Sequence, residues 1–377
     1  MTRTEPARTI DFTSALYLGL RHPSWTLTPW SQLTTGAPAA LRESPAAANV
    51  AAKLASLMGS ERAVLGPSTL HVFWDLFHDL AGRDSVIYVD GGLYPIARWG
   101  VERAAARGIP VEYFAHYEPD ALRRRIVRAS GRRRPLVVTD GFCPRCGRPA
   151  PLAAYVEATR PSGGRVILDD TQALGILGRD PSPSAPYGHG GGGSLRWSGL
   201  DGPDLIVVAS LAKGLGVPLA VLAGSRERVS RFEETSETRV HCSPPSAAAL
   251  HAAEHALVVN RTCGDALRAR LGTVVSFARR RLAQSGVSLA GGMFPVQTLA
   301  TVQGEAARRM HQALTRRRVL TVLRRGAGES GARLTFLLTA RHTSLDIATL
   351  VEALGQSAEA LASLLEVDYD DALAPLP

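Results

Sequence analysis

LIVVASLAKGLGVPLAVLAG, residues 205–224, is the stretch that decides the fold. Two apolar runs flank a glycine-rich turn that carries Lys213. A membrane-spanning helix is disfavoured, because a central lysine is costly in a bilayer and Gly214, Gly216 and Pro218 interrupt the segment. Short apolar runs bounded by glycine and proline instead predict two buried strands. We therefore expect Lys213 at the end of a strand.

An upstream stretch supplies a partner for Lys213. In RVILDDTQALGILG, residues 165–178, an apolar strand ends at Asp169 and Asp170. Desolvation lowers the pKa of lysine amines, and a neutral amine forms a Schiff base with a carbonyl group. A carboxylate keeps the pyridine nitrogen of pyridoxal phosphate (PLP) protonated, so that the ring acts as an electron sink. The alternative is an exposed turn lysine, but Asp169 favours a PLP site.

Together, DDTQALG and SLAKGLGVPLAVLAGS resemble the class-II aminotransferase, or α-oxoamine synthase, family. The resemblance implies an α/β protein of PLP-dependent transferase fold type I. Its large domain would hold a mostly parallel seven-stranded sheet, followed by a small α+β terminal domain. The resemblance also implies a homodimer with active sites at the subunit interface.

The resemblance assigns roles to individual residues. Lys213 would hold PLP as a Schiff base and then transfer protons, while Asp169 would bind the pyridine nitrogen. The other implied cofactor-binding residues are Ser68, Thr69, Leu70 and Ser210 for the phosphate, Tyr94 for ring stacking, Asp140 beside the cofactor, Gln172 for the phenolic oxygen, and Ser243 (or His241) for the neighbouring subunit's phosphate. From the residues alone, Ser68 is a helix cap and Tyr94 is equally well an ordinary core or surface tyrosine.

Three positions depart from the family pattern. Pro144 replaces a serine and Gln172 replaces a histidine, although a glutamine amide can still donate a hydrogen bond. In ARLTFLLTA, Arg333 remains, but Thr335 stands where the family carries the arginine that grips the substrate carboxylate. A hydroxyl cannot replace a guanidinium fork at a carboxylate. This leaves Arg333 as the candidate substrate-binding residue.

These departures shape the predicted function. We expect a PLP-dependent transferase acting on an amino acid or amine through Lys213, with an aminotransferase-type reaction in specialised metabolism. One alternative is decarboxylative condensation of an amino acid with an acyl-CoA or acyl-carrier thioester. The other is a non-catalytic PLP-fold binding protein.

Composition sets further bounds. A chain of 377 residues with a net charge of +9 is expected to form an N-terminal segment (1–45), a large PLP-binding domain (46–284) and a small C-terminal domain (285–377). Its arginine clusters are scattered and lack a nucleic-acid reader motif, so we predict no nucleic acid and no membrane partner. A phosphate-bearing substrate or an acidic carrier protein would suit the charge equally well.

Four cysteines and an amino terminus without an apolar signal core favour a reducing cytoplasm. Cys143 and Cys146 form a CPRC pair, which is typical of half a zinc site or of a redox couple. No second CxxC pair follows, although Cys242 next to His241 offers further ligands. The favoured interpretation is structural cysteines and no metal. The segment PSPSAPYGHGGGGS within residues 181–200 predicts a flexible lid or linker.

Overall fold

The computed structural model describes residues 8–129, 133–325 and 331–371. The chain forms two compact units. The larger comprises Leu18–Cys143 and Arg148–Ala269; the smaller comprises Met1–Tyr17, Pro144–Gly147 and Arg270–Pro377. The observed division differs from the predicted bounds, because residues 18–45 belong to the larger unit and one long helix continues from one unit into the other.

The chain alternates strands and helices through the larger unit. The strands are β1 (Ile10–Asp11), β2 (Arg62–Gly66), β3 (Ser85–Asp90), β4 (Val111–Phe114), β5 (Arg134–Asp140), β6 (Phe142–Cys143), β7 (Arg148–Pro149), β8 (Arg165–Asp169), β9 (Leu205–Ser210), β10 (Ala220–Gly224), β11 (Leu289–Ala290), β12 (Val296–Gln303), β13 (Val319–Leu320), β14 (Val322–Arg325) and β15 (Ala332–Leu337). The helices are α1 (Pro45–Met58), α2 (Thr69–Leu80), α3 (Pro95–Ala106), α4 (Pro119–Arg128), α5 (Leu152–Thr159), α6 (Ser194–Ser198), α7 (Arg226–Thr235), α8 (Glu237–His241), α9 (Ala247–Gln284), α10 (Gly304–Arg316) and α11 (Ser344–Asp371).

The larger unit is built on a seven-stranded sheet with the order β2-β10-β9-β8-β5-β3-β4. All neighbouring strands are parallel except β10, which runs antiparallel to both β2 and β9. The stretch quoted first supplies β9 and β10, with Ser210 opposite Ala220. The predicted mostly parallel sheet is confirmed, as are the two buried strands on either side of Lys213.

The interior of this sheet explains its sequence pattern. Strands β3, β8, β9 and β10 are buried along almost their whole length, and their apolar runs are continuous rather than alternating. Such runs are typical of parallel strands covered on both faces. Helix α2 packs into this core through Val72, Phe73, Leu76, Phe77 and Leu80, which recur at helical spacing.

The smaller unit is an α+β arrangement, as predicted. Its antiparallel sheet has the order β11-β12-β15-β14, and β1 pairs in parallel with β13. Helix α10 turns Ala307, Met310 and Leu314 toward the interior. Among the described residues, no helix is long and apolar enough to cross a membrane.

The glycine-rich segment within residues 181–200 differs from the flexible loop that its composition predicts. Its second half is buried, and isolated bridges join Leu174 to Gly192 and Arg179 to His189. A Cβ atom on Gly178 would collide with the backbone of His189. The glycines here permit close backbone approach rather than flexibility.

Candidate active site

Lys213 lies in the turn between β9 and β10, as predicted, and is partly buried. The next residue, Gly214, packs so closely that a Cβ atom would collide with the carbonyl oxygen of Leu174. The Lys213 turn is thus seated directly on the turn that follows β8. Glycine is required at position 214 for this contact.

Asp169 ends β8 and is almost fully buried. Its Oδ1 accepts a hydrogen bond of 3.0 Å from the backbone N–H of Thr171. Burial raises the pKa of Asp169, and this is opposed by hydrogen bonds from Thr171 and by the positive charge of Lys213. The two residues predicted to carry the chemistry are therefore electrostatic neighbours.

A second carboxylate stands beside the first. Asp140 ends β5 and is paired in register with Asp169 on β8. Its Oδ1 accepts a 3.1 Å hydrogen bond from the backbone N–H of Tyr94. Burial and the charge of Asp169 raise the pKa of Asp140 well above its ordinary value. Two adjacent buried carboxylates favour a proton or a cationic group between them.

Tyr94 directly precedes α3 and remains about half exposed, at 53%. The Nζ atom of Lys213 lies 5.7 Å from the centroid of its ring. The ring is therefore close enough to Lys213 to cover a flat group attached there, and aromatic rings stack well on such groups.

The start of α2 can receive an anion. Ser68 occupies the N-cap position, but its side chain makes no capping bond to the helix; its Oγ instead pairs with His71 Nδ1 at 2.8 Å. The first-turn N–H groups at Thr69 and Leu70 are consequently not capped by Ser68, and Leu70 is 38% exposed. Such N–H groups bind phosphate readily.

Ser210 ends β9, where its N–H donates to Thr171 Oγ1 at 2.9 Å and its Oγ accepts from the N–H of Ala212 at 3.2 Å. Gln172 is partly buried in the turn after β8. Ser243 is exposed and lines a small cavity with Gly66 and His71 of the same chain. The cofactor-binding roles predicted for these three residues stay predictions.

Arg333 belongs to the smaller unit, on β15. Its guanidinium donates to Gln303 Oε1 at 3.1 Å and to the carbonyl oxygen of Ala300 at 3.4 Å. Thr335 is completely buried, and its hydroxyl pairs with that of Thr298 at 3.0 Å. The position of the missing arginine is thus an interior packing position in this chain. The predicted role of Arg333 in substrate binding stays a prediction.

Two supporting contacts were not foreseen from the sequence. Asp170 is buried and accepts hydrogen bonds from the backbone N–H (2.9 Å) and the hydroxyl of Ser194; burial raises its pKa to about 6. His22 pairs through Nε2 with the carbonyl oxygen of Leu215 at 2.8 Å and through Nδ1 with His255 at 2.9 Å. The HP dipeptide at His22 is visible in the sequence, but its contact two residues beyond Lys213 depends on the fold.

The donor set of the larger unit fits PLP. A lysine amine, a buried carboxylate beside it, an exposed aromatic ring and an uncapped helix start match an aldehyde, a pyridinium nitrogen, a flat ring and a phosphate respectively.

Comparison with known proteins agrees with this chemistry. The sequence profile described as aminotransferase class I and II matches residues 31–354. An 8-amino-7-oxononanoate synthase from Alkalilimnicola ehrlichii is 30% identical over 306 residues, which cover 80% of this chain and 74% of that protein. One from Sodalis glossinidius is 30% identical over 361 residues, covering 92% and 88% respectively.

Solved structures share the fold. A serine palmitoyltransferase from S. paucimobilis with bound PLP and myriocin superposes with a TM-score of 0.82 at 18% identity, over 94% of this chain and 88% of that one. An 8-amino-7-oxononanoate synthase from Francisella tularensis gives 0.72 at 18% identity, over 94% and 99%.

Proposed function

Because this chain belongs to the aminotransferase class I and II family, we propose that it is a PLP-dependent synthase that condenses an amino acid with an acyl thioester. The predicted family resemblance is confirmed by the matching profile and the relatives, and with it the prediction of a PLP-dependent transferase. Lys213 beside buried Asp169 is the observation that carries the cofactor chemistry. The relatives named as synthases favour condensation over the aminotransferase reaction that the sequence departures suggested.

We assign the residues the following tasks. Lys213 binds the PLP aldehyde covalently through Nζ, and Asp169 holds the proton on the pyridine nitrogen. Tyr94 covers the ring, while Asp140 keeps the backbone at Tyr94 in place through the 3.1 Å hydrogen bond. Phosphate is bound by the N–H groups at the start of α2 with Ser68, Thr69, Leu70 and Ser210; Gln172 donates to the phenolic oxygen, and Ser243 contributes phosphate contacts in a homodimer.

The bonds balance as follows. The amino acid Cα–carboxylate bond breaks and releases CO₂, a bond forms between Cα and the thioester carbonyl carbon, and the thiol leaves. When bound, PLP supplies the electron sink for the pair left on Cα. Lys213 moves the proton at Cα, because its amine is free for acid–base work once the substrate amine has taken its place. Arg333 is the proposed contact for the substrate carboxylate.

Amino transfer remains a second candidate, favoured by one observation. Thr335 is buried in the small sheet and paired with Thr298, so the family's second arginine has no equivalent there. A site without that arginine is free to select a different amine.

One assay separates these functions. Purified protein with PLP is given glycine, alanine or serine together with a set of acyl-CoA thioesters, and CO₂ and free thiol are measured. Condensation predicts equal amounts of both. Conversion of a 2-oxo acid to an amino acid, without CO₂, would establish amino transfer instead. Neither product, with no spectral change on adding any amine, would leave the non-catalytic PLP-fold protein.

A further inference from the structure

The hairpin formed by β6 and β7 carries a cluster of side chains that the proposed reaction does not use. A ring nitrogen of His116 and the sulfur atoms of Cys143 and Cys146 all lie within 4.8 Å of one another. Cys143 is paired with Arg148 across the hairpin, so the hairpin itself brings Cys146 back toward Cys143. We propose that His116, Cys143 and Cys146 bind one Zn²⁺ ion, with Asp90 orienting the histidine.

The histidine is prepared for metal binding by a buried carboxylate. His116 Nδ1 lies 2.5 Å from Asp90 Oδ1, and since a carboxylate only accepts, Nδ1 carries the proton and Nε2 keeps its lone pair. Asp90 is completely buried and is itself fixed by the N–H groups of Gly92 (2.7 Å) and Tyr117 (3.0 Å) and by the hydroxyl of Tyr155 (3.2 Å). Zinc-binding histidines characteristically use such a carboxylate behind the ring.

The ligand chemistry selects zinc. Two thiolates and one imidazole are the donor types of zinc sites, whose ligand atoms lie about 3.5–3.8 Å apart at the usual bond lengths. Small side-chain rotations from the observed separation are sufficient to reach that spacing. Three protein ligands leave a fourth position for water or a substrate atom. Redox cysteines are typically solvent-accessible, whereas Cys143 is 3% exposed, which favours the metal over a disulfide couple.

The zinc site goes beyond the proposed reaction and does not depend on it, because none of its residues holds PLP in our assignment. Its place near the cofactor edge comes from Asp140, which ends β5 two residues before β6 begins. The site revises the interpretation of the CPRC pair as merely structural.

Metal content tests the proposal directly. Full-length protein from zinc-supplemented culture is dialysed and its zinc measured by mass spectrometry; we expect about one zinc per chain. Cys143→Ser, Cys146→Ser and His116→Ala each reduce this to background, whereas Cys263→Ser, on an exposed cysteine of α9, keeps it. Asp90→Asn weakens zinc affinity by about 10–100-fold. Stripped wild-type protein titrated with Co²⁺ gains a thiolate-to-metal absorption band, which the cysteine variants lack.

Three results would overturn the site: wild-type protein that neither holds zinc nor develops the cobalt band, zinc retained by both CPRC variants, or a Cys143–Cys146 disulfide whose reduction restores no metal binding. Circular dichroism identifies any variant that fails to fold; the cobalt titration of wild-type protein still decides the question in that case. PLP loading, followed separately by absorbance, distinguishes loss of the zinc site from failure of the proposed reaction.

Discussion

The turn after β8 and the strand β15 both correspond to polar motifs of the family, but they are built differently. In the turn, DDTQALG, Asp169 and Asp170 are buried and each accepts hydrogen bonds from neighbouring backbone or hydroxyl groups. In β15, ARLTFLLTA, Arg333 is partly exposed whereas Thr335 is sealed in the sheet. Cofactor chemistry is preserved in the first region, and substrate recognition has changed in the second.

This difference indicates that the fold fixes the cofactor machinery more tightly than the substrate contacts. The turn after β8 is held by Gly214 packing on Leu174 and by the N–H of Ser210 donating to Thr171. Changing a residue there disturbs several elements at once. On β15, one residue can change with little effect on its neighbours, because only its own packing is involved.

Replacement of Lys213 gives the largest expected effect. Lys213→Ala should lower kcat by about 10³-fold or more, because both the covalent hold on PLP and the proton transfer at Cα are lost. The matched control is Lys53→Ala, which removes a surface ion pair with Glu254 and should keep full activity. Steady-state assay of thiol release measures both; activity of the Lys213 variant within tenfold of wild type would contradict the assignment.

Asp169→Asn is the next strongest test. An amide cannot keep the pyridine nitrogen protonated, so we expect a fall in kcat of about 10²-fold and a shift of the cofactor's visible absorption maximum. Asp170→Asn serves as the comparison, since its carboxylate faces Ser194. Equal spectral shifts in the two variants would refute a special role for Asp169.

Asp170 predicts a pH dependence of stability. Its pKa rises from 3.8 when unfolded to about 6 when folded, so the folded state binds the proton more tightly and stability falls as the pH rises from about 4 through 6. The corresponding free energy is about 3 kcal/mol. Urea unfolding of wild type and Asp170→Asn at pH 4, 5, 6 and 7 measures it: the stability difference, wild type minus variant, should decrease with pH. A difference independent of pH would contradict the buried, proton-binding carboxyl.

Arg333→Ala should have the smallest effect and acts on the second region. If Arg333 holds the substrate carboxylate, KM for the amino acid rises about 10-fold with kcat little changed, as expected for loss of one charged hydrogen-bonding contact. Arg308→Ala, on the exposed side of α10, is the control in the same unit. An unchanged KM would show that Arg333 only stabilises β15 through Gln303 and Ala300.

Much of the cofactor edge was predictable because its signals are local. The apolar runs around Lys213 and the carboxylates after Val166–Leu168 place both residues at strand ends, and parallel strands bring their carboxyl ends together. Helix α2 was predicted from its apolar spacing and β9 from its uninterrupted apolar run. These patterns need no knowledge of distant contacts.

The remainder depends on tertiary packing. His22 reaches the carbonyl oxygen of Leu215 across 193 positions of sequence, and no local pattern encodes that contact. The glycines near His189 suggest flexibility by composition, yet their positive φ angles serve a tightly packed segment. The pairing of Asp140 with Asp169 follows from strand register, which the sequence leaves open.

The most direct test of the account uses the small number of lysines in the chain, which are Lys53 and Lys213 alone. Purified protein loaded with PLP is reduced with borohydride, digested and mapped by mass spectrometry. We predict loss of the visible absorption band and a reduced pyridoxyl adduct on the peptide containing Lys213, with Lys53 unmodified. An adduct on Lys53 alone, or a protein that gains no visible band with PLP, would contradict the central claim that Lys213 and Asp169 form a PLP site.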